Sequence, residues 1–270
     1  MKTLIRCGAL VSAVILGACS QDSTGTLATP LLNADIATVV ADNTGDDVDI
    51  MREPVFFVAM PLGGPVLGPG TGDLNPTSCT YNASTQRLEC PVVTRAGTLT
   101  ITRSYAFWDA NNVPQDHYDA LLTAKANIQT HIEGERSGDG WSASIERDRD
   151  MTVTGLLGTE TERTWNGTGT SEASRSRHND SGEERSYTIS CDLTVVDVVV
   201  PVPNGTPRFP ISGTITHHCI ITFEGGPRDG QTVERTAIVT FNGTATATVR
   251  VGDRTFDIDL TTRHRGPGRP

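Results

Sequence analysis

The chain predicts an all-β fold with short N-terminal helices: a large, curved antiparallel meander of about ten strands, arranged as a half-barrel or a two-sheet sandwich. Three observations carry this expectation. Apolar and polar residues alternate with period two over long runs beyond residue 78. Thr, Val and Gly are plentiful and aromatic residues scarce, a composition suited to strands and bends. Two cysteine pairs also come face to face when neighbouring alternating runs are folded back on each other.

The first residues carry an address. Lys2 and Arg6 precede an apolar stretch from Ala9 to Leu16 and then small residues, the layout of a secretory signal and too short to span a bilayer. Leu16-Gly17-Ala18-Cys19 resembles the bacterial lipobox. The resemblance is confined to this N-terminal segment. It implies cleavage before Cys19, an acylated Cys19 that anchors the chain to a membrane, and residues 1–18 as a discarded signal peptide that includes Cys7. Several acyl chains on one residue make a firm anchor. Ser20 follows the cysteine, and in the enteric lipoproteins that this segment resembles an Asp there favours inner-membrane retention. The outer membrane is therefore the expected address within the cell envelope. Residues 19–30, small and polar, read as a tether.

Losing residues 1–18 removes two positive charges and no acids, so the formal charge of −10 becomes −12. Nucleic acid and anionic membrane surfaces are poor partners for such a chain.

Residues 31–77 read as short helices followed by a Gly/Pro-rich linker. Leu32, Ile36, Val39 and Val40 recur at helical spacing, and Val48 and Met51 follow a candidate cap at Thr44, predicting one or two helices. Five prolines between Pro54 and Pro76, among many glycines, predict irregular chain. The antiparallel domain is expected over 78–265, with 266–270 a disordered tail.

Within that domain Val239, Phe241, Ala245, Ala247, Val249 and Val251 share one face, with Thr240, Asn242, Thr244, Thr246, Thr248 and Arg250 on the other. A turn at Gly252-Asp253 sets Val249 against Phe256 and Ala247 against Ile258. A turn on Ser84-Thr85 sets Tyr81 against Leu88 and Cys79 against Cys90. A connection centred on Gly205 sets Tyr187 against Phe223, Ile189 against Ile221 and Cys191 against Cys219. Disulfides Cys79–Cys90 and Cys191–Cys219 follow, in keeping with an oxidising compartment. A turn at Gly138-Asp139 would match Ile132 with Ile145. One near Asp180 would match Ala173 with Tyr187 and Trp165 with Val195. The segment from Trp108 to Ala124 reads either as a polar connection or as a helix begun by Tyr118, Leu121 and Leu122.

A faint repeat links Thr164-Trp165-Asn166-Gly167-Thr168-Gly169-Thr170 to Thr240-Phe241-Asn242-Gly243-Thr244-Ala245-Thr246. Alternation continues through both, so Gly167 and Gly243 read as bulges or bends, with a plain turn as the alternative.

Candidate chemistry is sparse. On a strand His217 and Cys219 share a face while His218 points away, so His217-His218-Cys219 makes no compact ligand set and no metal site is expected. The pairs Glu133/Glu135, Asp148/Asp150 and Asp257/Asp259 fall on the solvent face. Arg147 and Arg149 interrupt an apolar face, marking an edge, a pocket wall or a register shift. Arg175, Arg177, His178 and Arg185 gather near one hairpin tip beside Glu183 and Glu184. Nucleophile elbows, phosphate-cradling loops and metalloprotease motifs do not occur. The expectation is a non-enzymatic, cofactor-free envelope lipoprotein whose concave sheet binds an apolar ligand or lipid, with Trp165, Phe241, Val249 and Phe256 facing it. In outline it is similar to the half-barrel lipid-carrier and lipoprotein-trafficking proteins of the bacterial envelope, without a shared motif. The alternative is a structural or protein-interaction lipoprotein with a filled core. Whether those four side chains line a cavity or pack shut separates the two.

Overall fold

The computed structural model describes residues 23–52, 79–95, 98–138, 141–178, 184–202, 209–225, 229–262 and 264–265. The segment read as a signal, Cys19, the Gly/Pro-rich stretch and the C-terminal residues 266–270 lie outside them.

The first described element is one helix, α1 (Ser23–Arg52). It starts inside the stretch read as a tether and runs through Thr44 without a break. Leu32, Ile36, Val40, Asp47, Val48 and Met51 stay in phase along it, so the two runs read as one or two helices share one face and continue as one rod. Its intrinsic propensity is poor, with Gly25, Pro30 and Gly45 inside it and an Asn-Thr-Gly-Asp-Asp stretch at 43–47. Enclosure stabilises it instead. Val39, Val40 and Ala41 are consecutive and all buried, which is met only by a helix covered all round.

The strands follow in order: β1 (Thr80–Asn82), β2 (Arg87–Glu89), β3 (Val93–Arg95), β4 (Leu99–Asp109), β5 (Pro114–Gln115), β6 (Thr123–Gly138) and β7 (Trp141–Thr154). Then come β8 (Glu162–His178), β9 (Glu184–Pro201), β10 (Ser212–Glu224), β11 (Thr232–Thr240), β12 (Thr246–Val251), β13 (Arg254–Asp259) and β14 (His264–Arg265). Among the described residues fourteen strands, against the ten or so expected, form one open antiparallel sheet in the order β1-β2-β4-β6 and then sequentially from β7 to β14, with β3 and β5 pairing back on β4. The expected curved meander is therefore present.

Register agrees with the sequence where turns are short and chemically explicit. Val249 opposes Phe256 and Ala247 opposes Ile258. Tyr81 opposes Leu88, and Cys191 opposes Cys219 between Ile189–Ile221 and Leu193–His217. Both disulfides form as expected, Cys79–Cys90 and Cys191–Cys219.

Two hairpins differ from expectation. Gly138 opposes Trp141, so Ile132 faces Arg147 rather than Ile145, which pairs with Gly134. Asp139-Gly140, the stronger hairpin dipeptide, lies between those two strand ends. Ala173 faces Ile189 and Trp165 faces Val198, displaced from the expected Tyr187 and Val195. In both cases matching apolar residues misled, because the inward positions at this end include arginines. The segment from Trp108 to Ala124 holds no helix: β5 folds back on β4, Tyr118 is buried against Phe107, and Leu121 and Leu122 are exposed.

The two copies of the repeat part company. Gly167 lies within continuous β8, next to a register shift where Val196 and Asp197 of β9 together oppose Asn166. Asn166 accepts a hydrogen bond from the Asp197 amide at 2.9 Å, and Asp197 takes φ of 47°. Gly243 instead sits in the connection between β11 and β12, where Val239 opposes Val249, so the run expected as one strand is a hairpin. The Asn242 side chain accepts the Thr244 amide at 3.0 Å and tightens that turn. Inward residues stay inward because the loop preserves their parity. On the other side of the β9 bulge Gly213 has φ of +96°, and a Cβ there would lie 2.3 Å from the Asp197 carbonyl oxygen. The bulge and this glycine bend the longest strands of the sheet.

Candidate functional site

The inward face of the sheet, where ligand contacts were expected, is occupied by α1. Trp165, Phe241, Val249 and Phe256 are all buried and belong to one core with Ile36, Val40, Val48 and Met51 of the helix. They pack shut, and none of them lines either of the two large clefts described below.

The helix is seated by charge as well as by apolar contact. Asp47 accepts from Arg149 Nε at 2.8 Å and Nη2 at 3.3 Å, with both side chains 3% exposed. Asp46 pairs with Arg147, and Asp42 with Arg175 at 2.6 Å. Asn43 donates to Ser171 Oγ at 3.1 Å. Farther along, Asn33 Oδ1 accepts from Arg235 Nε at 3.4 Å. The partners lie on β7, β8 and β11, so α1 crosses successive strands, and its C-terminal Arg52 stacks 4.7 Å over the Phe209 ring. Arg147 and Arg149 thus belong to neither an edge nor a register slip. They face inward at positions i and i+2 of β7 and meet carboxylates at two consecutive positions of the helix, Asp46 and Asp47.

Two glycines of the repeat make this possible. A Cβ on Gly169 would lie 2.8 Å from Arg149 Cδ, and one on Gly167 would lie 2.9 Å from Met151 Sδ. Their absent side chains leave channels in β8 along which the long residues of β7 run. Arg149 Nη1 then donates to the carbonyls of Asp148 at 2.9 Å and Thr170 at 2.7 Å.

His217 faces inward beside this charged seam, fully buried, and Cys219 shares its face while His218 is exposed, as strand parity requires. Burial, reinforced by Arg149 and Arg147, pushes the His217 pKa down to about 3, so the ring is neutral. Among the described residues neither of its ring nitrogens, nor Trp165 Nε1, has a hydrogen-bond partner.

Of the remaining sequence candidates, Glu133, Glu135, Asp148 and Asp150 are exposed and Asp257 and Asp259 partly so. Arg175 joins the helix seam rather than a surface cluster. The side chains of Arg177, His178, Glu183, Glu184 and Arg185 lie outside the described residues. A grouping not foreseen is His131, Glu146 and Asp148, which bring one ligand atom each within 4.8 Å of one another on the outer face. His131 Nδ1 lies 2.9 Å from Asp148, and that hydrogen bond raises the His131 pKa above its ordinary value. Only the observed register sets His131 opposite Asp148.

Two open clefts accompany these features. One, of about 880 Å³, is lined by the outer-face residues Gln129, His131, Asp150 and Thr170 together with the buried Arg103, Arg149 and Leu193. The other, of about 990 Å³, is lined by Asp42, Leu99, Ala143, Ile145, Arg147 and Arg175.

The chain matches no family model, no curated protein and no solved structure.

Proposed function

We propose that the chain is a lipid-anchored, non-enzymatic protein of the bacterial cell envelope whose curved sheet has a filled core and which acts through its surfaces as a structural or interaction protein. The observation that carries this reading is the enclosure of α1: Trp165, Phe241, Val249 and Phe256, the side chains that would touch a carried ligand, are buried against it. The lipobox-like segment ending at Cys19 supports the address, and the two disulfides are in keeping with an oxidising compartment. The test is metabolic labelling with a radioactive fatty acid in a Gram-negative host. Label is expected on the native chain, in the outer-membrane fraction, and absent from Cys19→Ala; label persisting on Cys19→Ala refutes the anchor.

A second reading, an apolar-ligand carrier, is favoured by one specific observation: the occupant of the concave face is held across an ionic seam rather than by apolar contact alone.

A further inference from the structure

We infer that the outer face of the sheet carries a saccharide-binding trough, and that its ligand is a linear glycan of amino sugars whose ammonium groups are free. This rests on the reading of a protein that acts through its surfaces.

The first ground is the shape that register builds. Thr102, His131, Asp148, Thr170 and Asp192 stand directly opposite one another on β4, β6, β7, β8 and β9. Two residues away on the same strands, Ser104, Gln129, Asp150, Thr168 and Thr194 form a second such row. Strand parity turns both rows outward and the residues between them inward. The two rows wall the cleft of about 880 Å³, and Arg103, Arg149 and Leu193 lie along its floor. Five strands span four gaps of ~4.8 Å, so the trough is roughly 19 Å long, with its walls about 7 Å apart.

The second ground is charge. All ten wall residues are polar; Asp148, Asp150 and Asp192 are exposed carboxylates, and Glu89 extends the second row from β2. The walls hold no lysine or arginine. Arg149 turns inward onto Asp47, and Arg87, near Asp150 and Glu89, is held by Ser104 and Asn127. His131 is hydrogen-bonded to Asp148. A surface of this sign attracts cations and repels phosphate or carboxylate polymers.

The third ground is what the walls leave uncommitted. Among the described residues Thr102, Thr168, Thr170, Asp192 and Thr194 make no side-chain hydrogen bond or ion pair. A threonine hydroxyl both donates and accepts, as a sugar hydroxyl does, whereas an ammonium only donates. A bare polyamine would therefore leave the threonine protons unused. No aromatic ring lines the trough, so a neutral glycan finds no apolar ring face to stack on. Ammonium–carboxylate pairs supply the affinity instead. A pyranose ring is about as long as one strand spacing, so successive rings of an extended chain lie over successive strands. A stiff chain of this kind forfeits little conformational freedom on binding.

The experiment is isothermal titration calorimetry of the chain from residue 20 onward, expressed with a soluble leader. The titrants are the β-linked tetramer of glucosamine, its N-acetylated counterpart and spermine. The glucosamine tetramer is expected to bind at least tenfold more tightly than either of the others. Asp148→Asn with Asp192→Asn should weaken it at least tenfold, and Thr168→Val with Thr170→Val several-fold. Glu234→Gln, which removes an exposed carboxylate on β11 outside the trough, should leave binding unchanged. The substituted side chains are exposed, and a urea midpoint at the unsubstituted value verifies that each variant folds. Failure of the glucosamine tetramer to bind, or an equal loss from Glu234→Gln, would overturn the trough. Equal affinity for spermine or for the acetylated tetramer would overturn the ligand class. None of these results bears on the enclosure of α1, so the filled-core reading stands or falls separately.

Discussion

Removing the carboxylate of Asp47 tests the seam most sharply. Asp47 and Arg149 are each 3% exposed and joined by two contacts at 2.8 and 3.3 Å. Arg149 is held in place by other bonds when its partner is lost. Its Nη1 is tied to the carbonyls of Asp148 and Thr170, and its chain runs through the channel left by Gly169. Asp47→Ala therefore strands a buried guanidinium, at a cost of about 3–5 kcal/mol. Asp42, 27% exposed against an Arg175 that is 12% exposed, is the control, and Asp42→Ala should cost at most about 1 kcal/mol. The assay is urea unfolding followed by tryptophan fluorescence. With m of about 3 kcal/mol/M for a chain of this size, Asp47→Ala should lower the midpoint by roughly 1–1.7 M at unchanged m. The double variant Asp47→Leu with Arg149→Met should recover most of that loss, since apolar replacement of both partners is close to neutral. Equal small losses for Asp47→Ala and Asp42→Ala would refute the claim that the seam is desolvated.

Three further predictions follow from single positions. Gly213→Ala forces a Cβ to within 2.3 Å of a backbone oxygen at φ +96° and should cost about 2–3 kcal/mol, a fall of about 5–10 °C in Tm. Gly225→Ala, also at positive φ but with open space around it, should cost about 1 kcal/mol; matching losses would show that the bulge is not the cause. Replacing Cys191 and Cys219 by Ser opens a loop of 28 residues, and chain-entropy arithmetic predicts a loss of about 3.6 kcal/mol at 25 °C, against about 2.8 kcal/mol for the 11-residue separation of Cys79 and Cys90. Equal losses in chemical denaturation would contradict the entropic ranking. His217, with a folded pKa of about 3, takes up a proton more readily when unfolded. Its contribution is intact above pH ~6.5 and is lost as pH falls from there toward 3, with a slope of about 1.4 kcal/mol per pH unit. His217→Leu should flatten the fall in stability between pH 6 and 5 by that amount, and an unchanged slope would show that the ring is not buried neutral.

Much of the fold was legible because period-two alternation, explicit turn dipeptides and cysteine pairing are local signals. Cys191–Cys219 and Val249–Phe256 both follow from counting outward from a turn. What was not legible depended on partners distant in sequence. Arg147 and Arg149 looked like a break in the inward face of β7 because their counter-ions, Asp46 and Asp47, lie about a hundred residues away on α1. Inward arginines spoiled the apolar matching that set two registers, Arg147 and Arg149 in the β6–β7 hairpin and Arg175 in the β8–β9 hairpin, and with the first of these the approach of His131 to Asp148. The repeat shows the limit of motif reading: Asn-Gly in a Thr-rich run is held within a strand at Gly167, where a Cβ would meet the Asp150 carbonyl oxygen and Met151 of β7, and turns the chain at Gly243, between β11 and β12. Gly167 and Gly169 at inward positions were the available signal, since glycines facing a core in alternation mark room reserved for side chains of the next strand.

Enclosure of α1 by the sheet is the central claim, and native mass spectrometry of the chain from residue 20 onward, expressed with a soluble leader in place of the proposed lipid anchor and purified gently, tests it most directly. A filled core predicts a mass equal to that of the polypeptide with two disulfides and nothing bound. A lipid or other apolar molecule retained reproducibly at stoichiometric occupancy would contradict it and favour the carrier reading.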